Sequence, residues 1–420
     1  MKKLLWRGVS LMSAMALVLA ACAPAASPTA APAAPTEAAA PTEAPAAETG
    51  SFQIPEIVEG KFNVAMVLIG PHDDGGWSQA HYEGLQYVEQ NVPDTHIAYI
   101  ELVPEGAQAE QVYRSLARKG FDLIFGTSFG YMDPMATVAE EFPDQMFVHI
   151  SGYKSNESNF GNLFGAMENM KYLAGMLAGS RAKTDGQTKL GYMATFPIPE
   201  ELRLGNAFAL GMRKTCPDCT LEIRWINTWH DPVIEKEAAA SLFDSGVYIV
   251  FTGADTPATA DVATERGDKW GINYDWVGNC VQERCLTTLY WNWGPEYARI
   301  AEAVKAGTYK AGWEYFDAEA GAMGIFGLME GQTPTKGMEG LPAEDMTLIQ
   351  DTLAKMLAGE FTRFDVFAGP IVDNQGNEVL AAGEKLEQID IDCFAGGDVP
   401  CQTGMYWWAE GVTAELPPLQ

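Results

Sequence analysis

The stretch Phe62-Asn-Val-Ala-Met-Val-Leu-Ile69 is a nearly continuous apolar run with the length of one β-strand. A strand that is apolar on both faces is typical of a parallel sheet that helices cover on both sides. A polar loop over residues 70–78 follows, and the pattern then predicts a helix over residues 79–91. The run therefore predicts the first strand–helix unit of an α/β protein.

The same alternation continues along the chain and then starts a second time. Further strands are predicted over residues 96–103, 123–126, 146–150, 189–193, 220–225, 248–251 and 270–274. Helices are predicted over residues 107–119, 133–141, 171–182, 202–214, 233–245 and 258–266. Because one hydrophobic core rarely serves more than about 250–300 residues, the length of the chain, 420 residues, predicts two lobes. We expect two doubly wound parallel-sheet lobes joined by a hinge, with a cleft at the carboxyl ends of their strands.

The N-terminus has the features of a secretory signal. An apolar stretch over residues 9–21 follows Lys2, Lys3 and Arg7, and it ends in Leu-Ala-Ala directly before Cys22. A cysteine at this point predicts a bacterial lipoprotein whose Cys22 is lipidated and becomes the first mature residue, and the alternative is an ordinary signal peptide. The apolar stretch is too short to cross a bilayer as a helix.

The expected organisation follows from these patterns. Residues 23–55 consist mostly of Ala, Pro, Thr and Glu up to Gly50, and such a composition predicts a disordered tether to the membrane surface. Residues 1–22 are expected to form the signal, and residues 393–420 a disulfide-closed tail. The first lobe is expected to consist of residues 56–165 together with about 290–330. The second lobe, with a C-terminal crossover, is expected to consist of residues 166–289 together with about 331–392.

The charge excludes one class of partner. The formal net charge is -29 at pH 7, and removal of the signal would make it more negative. A chain this acidic is repelled by phosphate backbones and by anionic lipid surfaces. We therefore expect no binding to nucleic acid.

Apart from Cys22, the cysteines form three pairs that are close in sequence. We predict disulfides Cys216–Cys219, Cys280–Cys285 and Cys393–Cys401, as is typical outside the cytoplasm. The alternative is a metal site built from two of these pairs, but no histidine is close to them. No two of the five histidines have the spacing of metal ligands either, so we predict neither a metal nor a cofactor.

Aromatic and polar residues recur where the predicted strands end. The candidate ligand-binding residues are Asp74, Trp77, Ser128, Phe129, Trp229, Asn273, Asp275 and Trp291. Flat apolar rings beside carboxylates and amides suit a planar ligand that carries hydrogen-bond donors, and one stacked base gains about 1–3 kcal/mol. Two rings from opposite lobes would enclose such a ligand when the cleft closes.

Several of these residues have a structural alternative. Trp77 has the position of a hydrophobic staple for the first helix, and Asp74 that of a cap for a helix that starts earlier than drawn. Asp275 has the position of a local cap or ion-pair partner. Trp293 precedes a helix near Pro295, and we favour a packing role for it.

Longer motifs in this order resemble the basic membrane protein (BMP) family, in particular the branch sometimes called Med-like. The motifs are Gly70-Pro, Asp74-Gly-Gly-Trp77, Thr127-Ser-Phe-Gly-Tyr-Met-Asp-Pro134, Phe196-Pro-Ile-Pro-Glu200, Asn206-Ala-Phe208, Trp229-His-Asp-Pro232 and Trp291-Asn-Trp-Gly-Pro295. Proteins of this family are substrate-binding lipoproteins of ABC importers, and related members bind purine nucleosides or bases between two lobes of the type-I periplasmic-binding fold. The resemblance covers roughly residues 61–376.

The resemblance implies roles for single residues. Trp77 and Trp229 have the positions of the two aromatic side chains that stack on the base. The family's Asp-x-Asp appears as Asn273-Tyr-Asp275, and Trp291 stands where nucleoside binders carry a lysine. Without that acid and that lysine, the resemblance favours a free base such as adenine over a nucleoside.

These observations predict a non-enzymatic, lipid-anchored binding protein on the extracytoplasmic face of the cell membrane, with a purine ligand and an ABC permease as partners. One alternative is a tethered hydrolase that uses two of Asp73, Asp74 and Asp275 in an aromatic cleft. Another is a ligand-sensing input to a signalling receptor, which would use the same fold and cleft.

Overall fold

The computed structural model describes residues 52–391 and 405–416. Within these residues the chain forms two six-stranded sheets, one small hairpin and flanking helices. The predicted lipidation of Cys22, the tether up to residue 51 and the predicted disulfide Cys393–Cys401 lie outside the described residues. None of the helices in the described part is both long enough and apolar enough to span a membrane.

The elements alternate as the sequence predicts. The first part contains β1 (Phe62–Leu68), α1 (Trp77–Asn91), β2 (Thr95–Ile100), α2 (Ala107–Lys119), β3 (Leu123–Thr127), α3 (Met132–Glu141), β4 (Met146–Ile150), β5 (Phe160–Gly165), α4 (Glu168–Thr184), β6 (Lys189–Ala194), α5 (Pro199–Thr215), β7 (Thr220–Trp225) and α6 (Pro232–Asp244). The second part contains β8 (Ile249–Thr252), α7 (Ala258–Arg266), β9 (Trp270–Asn273), β10 (Cys285–Trp291), α8 (Gly294–Lys305), β11 (Trp313–Phe316), β12 (Met323–Ile325), α9 (Ala343–Leu357), α10 (Arg363–Val366), β13 (Ile371–Val372), β14 (Glu378–Leu380) and α11 (Gln388–Ile391).

Each lobe contains one of the large sheets. The first sheet has the strand order β11-β5-β4-β3-β1-β2, and all its neighbours pair in parallel. The second sheet has the order β12-β10-β9-β8-β6-β7, and only the edge strand β12 is antiparallel to its neighbour. The α/β fold of two doubly wound lobes is therefore confirmed.

Strand β5 was absent from the predicted elements. Its sequence, Phe160-Gly-Asn-Leu-Phe-Gly165, contains two glycines and an asparagine, which are weak strand formers. All six residues are nevertheless buried, because the strand lies between β4 and β11. Tertiary pairing thus outweighs the local preference.

Three connections in the described part of the chain join the lobes. The chain leaves the first sheet after β5, returns for α8 and β11, and then enters the second sheet again at β12. We expected residues 290–330 in the first lobe, but β12 pairs with β10 of the second sheet. The return to the first lobe therefore ends before Met323, because the antiparallel pairing holds β12 in the other sheet.

The centre of the second lobe is α4, which is buried from Glu168 to Ala182. A helix that is buried on all sides needs very close neighbours, and α5 passes directly over it. A Cβ atom at Gly175 would lie 2.1 Å from the carbonyl oxygen of Phe208, so only glycine permits this approach.

Two details complete the folded unit. Phe52 and Ile54 pack against the core of the first lobe, so the end of the predicted tether belongs to the folded part. The structure contains disulfides between Cys216 and Cys219 and between Cys280 and Cys285.

Candidate ligand-binding site

A cavity lies between the two lobes, at the carboxyl ends of both sheets. The first lobe contributes residues that follow β1, β3 and β4, namely Ile69, Trp77, Ser128, Phe129 and Ser151. The second lobe contributes residues that follow β6, β7, β8 and β9, namely Glu200, Glu201, Trp229, Gly253, Asp255, Tyr274 and Asp275. All these residues therefore occupy the crevice where parallel sheets bind their ligands.

The predicted site residues fall into two groups. Five of the eight line the cavity, namely Trp77, Ser128, Phe129, Trp229 and Asp275. The other three, Asp74, Asn273 and Trp291, are not among the residues that line it. Each of these three has its side chain engaged elsewhere.

Trp77 is the first residue of α1 and is half-buried. Its indole Nε1 donates a hydrogen bond of 2.7 Å to the carbonyl oxygen of Thr127 at the end of β3. Its ring meets the rings of His81 and Trp293 edge to face, with centroids 4.2 and 5.9 Å away. The hydrogen bond and these contacts together hold the orientation of the indole before any ligand arrives.

Trp229 faces the cavity from the second lobe. Its ring packs against Phe196, with the ring centroids 5.0 Å apart, and its carbonyl oxygen accepts a hydrogen bond from the Asp255 amide. With Phe129 and Tyr274, both lobes therefore contribute aromatic side chains to the same cavity.

Asp74 caps a helix in this structure and does not line the ligand cavity. Its carboxylate accepts hydrogen bonds of 2.8 to 3.0 Å from the amides of Gly76, Ser78 and Gln79. These amides would otherwise lack partners at the start of a helix, which explains why α1 begins at Trp77 and not at residue 79 as predicted.

Asn273 and Trp291 lie behind the cavity wall. The Asn273 amide donates to the carbonyl oxygen of Asn279, and its oxygen accepts a hydrogen bond from Thr259. The indole Nε1 of Trp291 donates to Asp275 Oδ1 over 3.0 Å. They are the last residues of β9 and β10, and their polar atoms hold loops and a carboxylate in place.

The wall from the second lobe is acidic. Glu200, Glu201, Asp255 and Asp275 all line the cavity, and of these only Glu200 is partly exposed. Burial raises the pKa of Asp255 and of Asp275 well above the usual range of an aspartate, and it also raises the pKa of Glu201. The cavity therefore holds several acceptors for hydrogen bonds from a ligand, in a place where a full set of negative charges is unfavourable.

Lys171 on α4 balances part of this charge, and sequence reasoning missed it. Its side chain is almost fully buried, with Nζ 2.8 Å from the carbonyl oxygen of Thr252 and 3.4 Å from the ring centroid of Tyr274. Burial lowers the pKa of Lys171 to about 8, while the carboxylates of Glu201 and Asp275 act against this shift. The feature of the sequence that could have pointed to Lys171 is that it lies within an otherwise mostly apolar part of a helix.

Four cavity residues that also escaped the sequence analysis are Glu200, Glu201, Asp255 and Tyr274. Glu201 accepts hydrogen bonds from the Tyr192 hydroxyl and the Thr195 amide, which holds it against the cavity. Glu200, Glu201 and Asp255 lie in the segments that follow predicted strands, and Tyr274 ends one. Such positions are shared by many capping residues, so they do not single these four out.

The lobes touch on one side of the cavity. A Cβ atom at Gly76 of the first lobe would lie 1.8 Å from the carbonyl oxygen of Asp255 in the second lobe. Asn279 Nδ2 donates to the carbonyl oxygen of Gly75 over 2.9 Å, and Trp276 Nε1 donates to Glu83 Oε1 over 2.9 Å. These contacts describe a closed cleft.

Two parallel-sheet lobes that close on an aromatic cavity define a two-lobed solute-binding protein of the type-I periplasmic-binding fold. Residues 61–336 match the family Bmp, described as ABC transporter substrate-binding protein PnrA-like. The chain belongs to this family, as its motifs predicted.

Three similar proteins illustrate this relationship. A purine-binding protein of Brucella abortus is 33% identical over 363 residues, which cover 86% of this chain and 95% of the relative. A putative ABC transporter glucose-binding protein of Haloferax volcanii is 38% identical over 250 residues, 59% of this chain and 62% of the relative. An ABC transporter solute-binding protein from Aeropyrum pernix K1, 17% identical, has the same fold with a TM-score of 0.62 over 71% of this chain and 92% of that protein.

Proposed function

We propose that this ABC transporter substrate-binding protein captures a purine, with a free base such as adenine favoured over a nucleoside. The observation that carries the proposal is the cavity itself, which Trp77 lines from one lobe and Trp229 from the other. Flat aromatic faces suit a planar heterocycle, and each stacked base gains about 1–3 kcal/mol. The relative from Brucella abortus, named a purine-binding protein, supports the same ligand class.

The acidic wall suits the hydrogen-bond donors of a base. Carboxyl groups of Glu201, Asp255 and Asp275 accept hydrogen bonds from ring N–H and amino groups. The hydroxyl of Tyr274 is buried and has no hydrogen-bond partner in the described part of the chain, so it is available to a ring nitrogen. A base offers donors and acceptors along one flat edge, which matches this arrangement.

The preference for a base over a nucleoside has its own support. In nucleoside binders of this family, by resemblance, an acid and a lysine hold the sugar, at the positions of Asn273 and Trp291. The side chains of both are engaged behind the cavity wall. Lys171 does not replace that lysine, because its ammonium group is bonded to the carbonyl oxygen of Thr252 and is not among the cavity-lining groups.

The protein would act outside the cytoplasmic membrane. Lipidation of Cys22 and the tether that follows would keep the lobes near the membrane, where a permease of the same importer takes up the ligand. The ligand leaves unchanged in this scheme, so no catalytic residue is required. The hydrolase alternative lacks its predicted pair, because of Asp73, Asp74 and Asp275 only Asp275 lines the cavity.

Calorimetry on the full chain, freed of copurified ligand by unfolding and refolding, tests the proposal. We expect adenine to bind more tightly than adenosine, and glucose not to bind. Glucose is included because of the name of the Haloferax volcanii relative. Tighter binding of adenosine would refute the base preference, and binding of glucose without any purine would refute the ligand class. Recovery of hydrolysed adenosine after incubation would favour the enzyme.

A further inference from the structure

A second group of polar side chains lies at the contact between the lobes, beside the ligand cavity. Asp74 comes from the first lobe, and His230 and Asp255 come from the second. One carboxylate oxygen of each aspartate and one ring nitrogen of His230 lie within 4.8 Å of one another. Asp74 and His230 also line an open hollow at the surface, through which ions and water can enter.

Two atoms of this group lack a partner. Asp255 is only 3% exposed, and its Oδ2 forms no hydrogen bond within the described residues. Nδ1 of His230 is likewise buried and unpaired in that part of the chain. A buried polar atom left without a partner costs about 1–3 kcal/mol, so two such atoms that belong to one cluster indicate that something binds there.

The electrostatics of the cluster favour a cation. Asp74 and Asp255 bring two carboxyl groups into one small cluster, and two ionised carboxylates at such a distance repel each other. Lys236 lines the same hollow, but its ammonium group forms an ion pair with Glu265 at 2.6 Å, and about half of the Lys236 side chain is exposed to solvent. A cation between the two carboxylates would remove their repulsion and occupy the unpaired atoms.

We propose that Asp74, His230 and Asp255 form a binding site for one divalent cation of the Zn²⁺ type that joins the two lobes. One imidazole nitrogen with two carboxylate oxygens is a ligand set that suits zinc and similar transition ions better than Mg²⁺ or Ca²⁺. At zinc–ligand distances of about 2.1 Å, tetrahedral ligands lie about 3.4 Å apart, so the three groups, which lie within 4.8 Å of one another, need to approach by at most about 1.4 Å. The open hollow provides water for a fourth position.

The surroundings hold the ligands in place. The Asp74 carboxylate is oriented by three backbone amides, and Glu235 accepts hydrogen bonds from the amide and hydroxyl of Thr256, next to Asp255. Hydrogen bonds that orient the ligand side chains in this way stabilise metal sites. Because one ligand belongs to the other lobe, the ion would favour the closed cleft and strengthen binding in the adjacent cavity, which Asp255 also lines.

Zinc titration of the full chain tests the site. The protein is prepared without a histidine tag, treated with a chelator and titrated with Zn²⁺ in the absence of any purine. We expect one equivalent to bind, and Asp255→Asn and His230→Ala to weaken binding by about 100-fold. The control is His96→Ala, because His96 lies in β2, outside the cluster, and its replacement is expected to leave zinc binding unchanged. Equal concentrations of Mg²⁺ are not expected to compete.

Failure to retain zinc, or unchanged affinity in His230→Ala, would overturn the proposal. Asp255→Asn keeps the shape of the side chain, so it covers the case that His230→Ala does not fold. X-ray absorption at the zinc edge of the unmodified chain is expected to show nitrogen and oxygen ligands with one imidazole, and sulfur ligands would also overturn it. The site does not depend on the ligand class, because a chain that binds zinc but no purine would refute only the proposed function.

Discussion

The two walls of the ligand cavity are built in different ways. The first-lobe wall consists of aromatic, aliphatic and hydroxyl groups, namely Ile69, Trp77, Ser128, Phe129 and Ser151. The second-lobe wall carries all four carboxyl groups that line the cavity. The first lobe therefore supplies shape, and the second supplies most of the hydrogen-bonding and electrostatic part of recognition.

The supports behind the two walls differ in the same way. In the first lobe, neutral hydrogen bonds fix the wall, such as the bond of 2.7 Å between His149 Nε2 and the carbonyl oxygen of Ser128. In the second lobe, a buried ammonium group and an indole N–H hold the carboxylates. A neutral support loses little when one bond is removed, whereas an unpaired buried charge is costly. The predictions below use this difference, beginning with the largest effect.

Replacement of Lys171 should damage the second lobe most. Lys171→Met leaves the carboxylates of Glu201 and Asp275 without their buried cation, and the expected loss in the free energy of unfolding is about 3–5 kcal/mol. Urea denaturation measures it. Lys183→Met is the matched control on the same helix, because the Lys183 side chain remains 44% exposed in its ion pair with Asp345 and should matter by about 1 kcal/mol. Equal stability of the two variants would mean that the buried carboxyl groups are already neutral.

In the first lobe, His149 should make stability depend on pH. Burial lowers the pKa of His149 to about 4, whereas an unfolded histidine has a pKa of about 6.5. The folded state thus excludes the proton, so this stabilisation is complete above pH 6.5 and is lost as the pH falls towards 4, by roughly 3 kcal/mol. We expect His149→Gln to remove that part of the decline between pH 7 and pH 4.5 in urea denaturation. The matched control is His96→Gln in β2, and identical slopes for the two variants would contradict the prediction.

Contact between the walls should depend on Gly76. Gly76→Ala would place a methyl group 1.8 Å from the carbonyl oxygen of Asp255, so the cleft cannot close as observed. If the closed form falls to about 1% of the population, ligand affinity falls about 100-fold. Calorimetry measures the affinity, and small-angle scattering should show a more open shape. Gly312→Ala is the control, since a Cβ atom there meets nothing within 4 Å. Unchanged affinity in Gly76→Ala would show that ligand binds without this contact.

Trp77 and Trp229, the two residues proposed to stack on the ligand, should differ in what their loss affects. Trp77→Ala and Trp229→Ala should each weaken purine binding by about 1–3 kcal/mol, that is roughly fivefold to 150-fold. Only Trp77→Ala should also lower the melting temperature clearly, because the Trp77 ring packs on His81 and Trp293 and bonds to Thr127. Trp313→Ala, in β11 away from the cavity, should leave affinity unchanged. A larger loss of stability in Trp229→Ala than in Trp77→Ala would contradict the conclusion that the first lobe supplies the rigid shape of the cavity.

The sequence determined much of the fold, because hydrophobic periodicity is a local property that survives in the linear chain. Regular units such as β1, α2 and α7 were predicted within one or two residues of their observed bounds. Strand β5 was not, since its glycines and asparagine are held by neighbours that are distant in the sequence. The start of α1 was displaced by two residues for a similar reason, because it depends on which amides Asp74 accepts from.

The same division applies to the site. The aromatic residues after the strands, Trp77, Phe129 and Trp229, were recognisable because large rings are unusual in connecting loops. Tertiary structure alone decided which polar groups join them, because a carboxylate or a lysine such as Lys171 gains its role only from the groups that burial brings against it. The meeting of Asp74 with His230 and Asp255 is of this kind as well, since these residues are far apart in the chain and come together only where the two lobes touch.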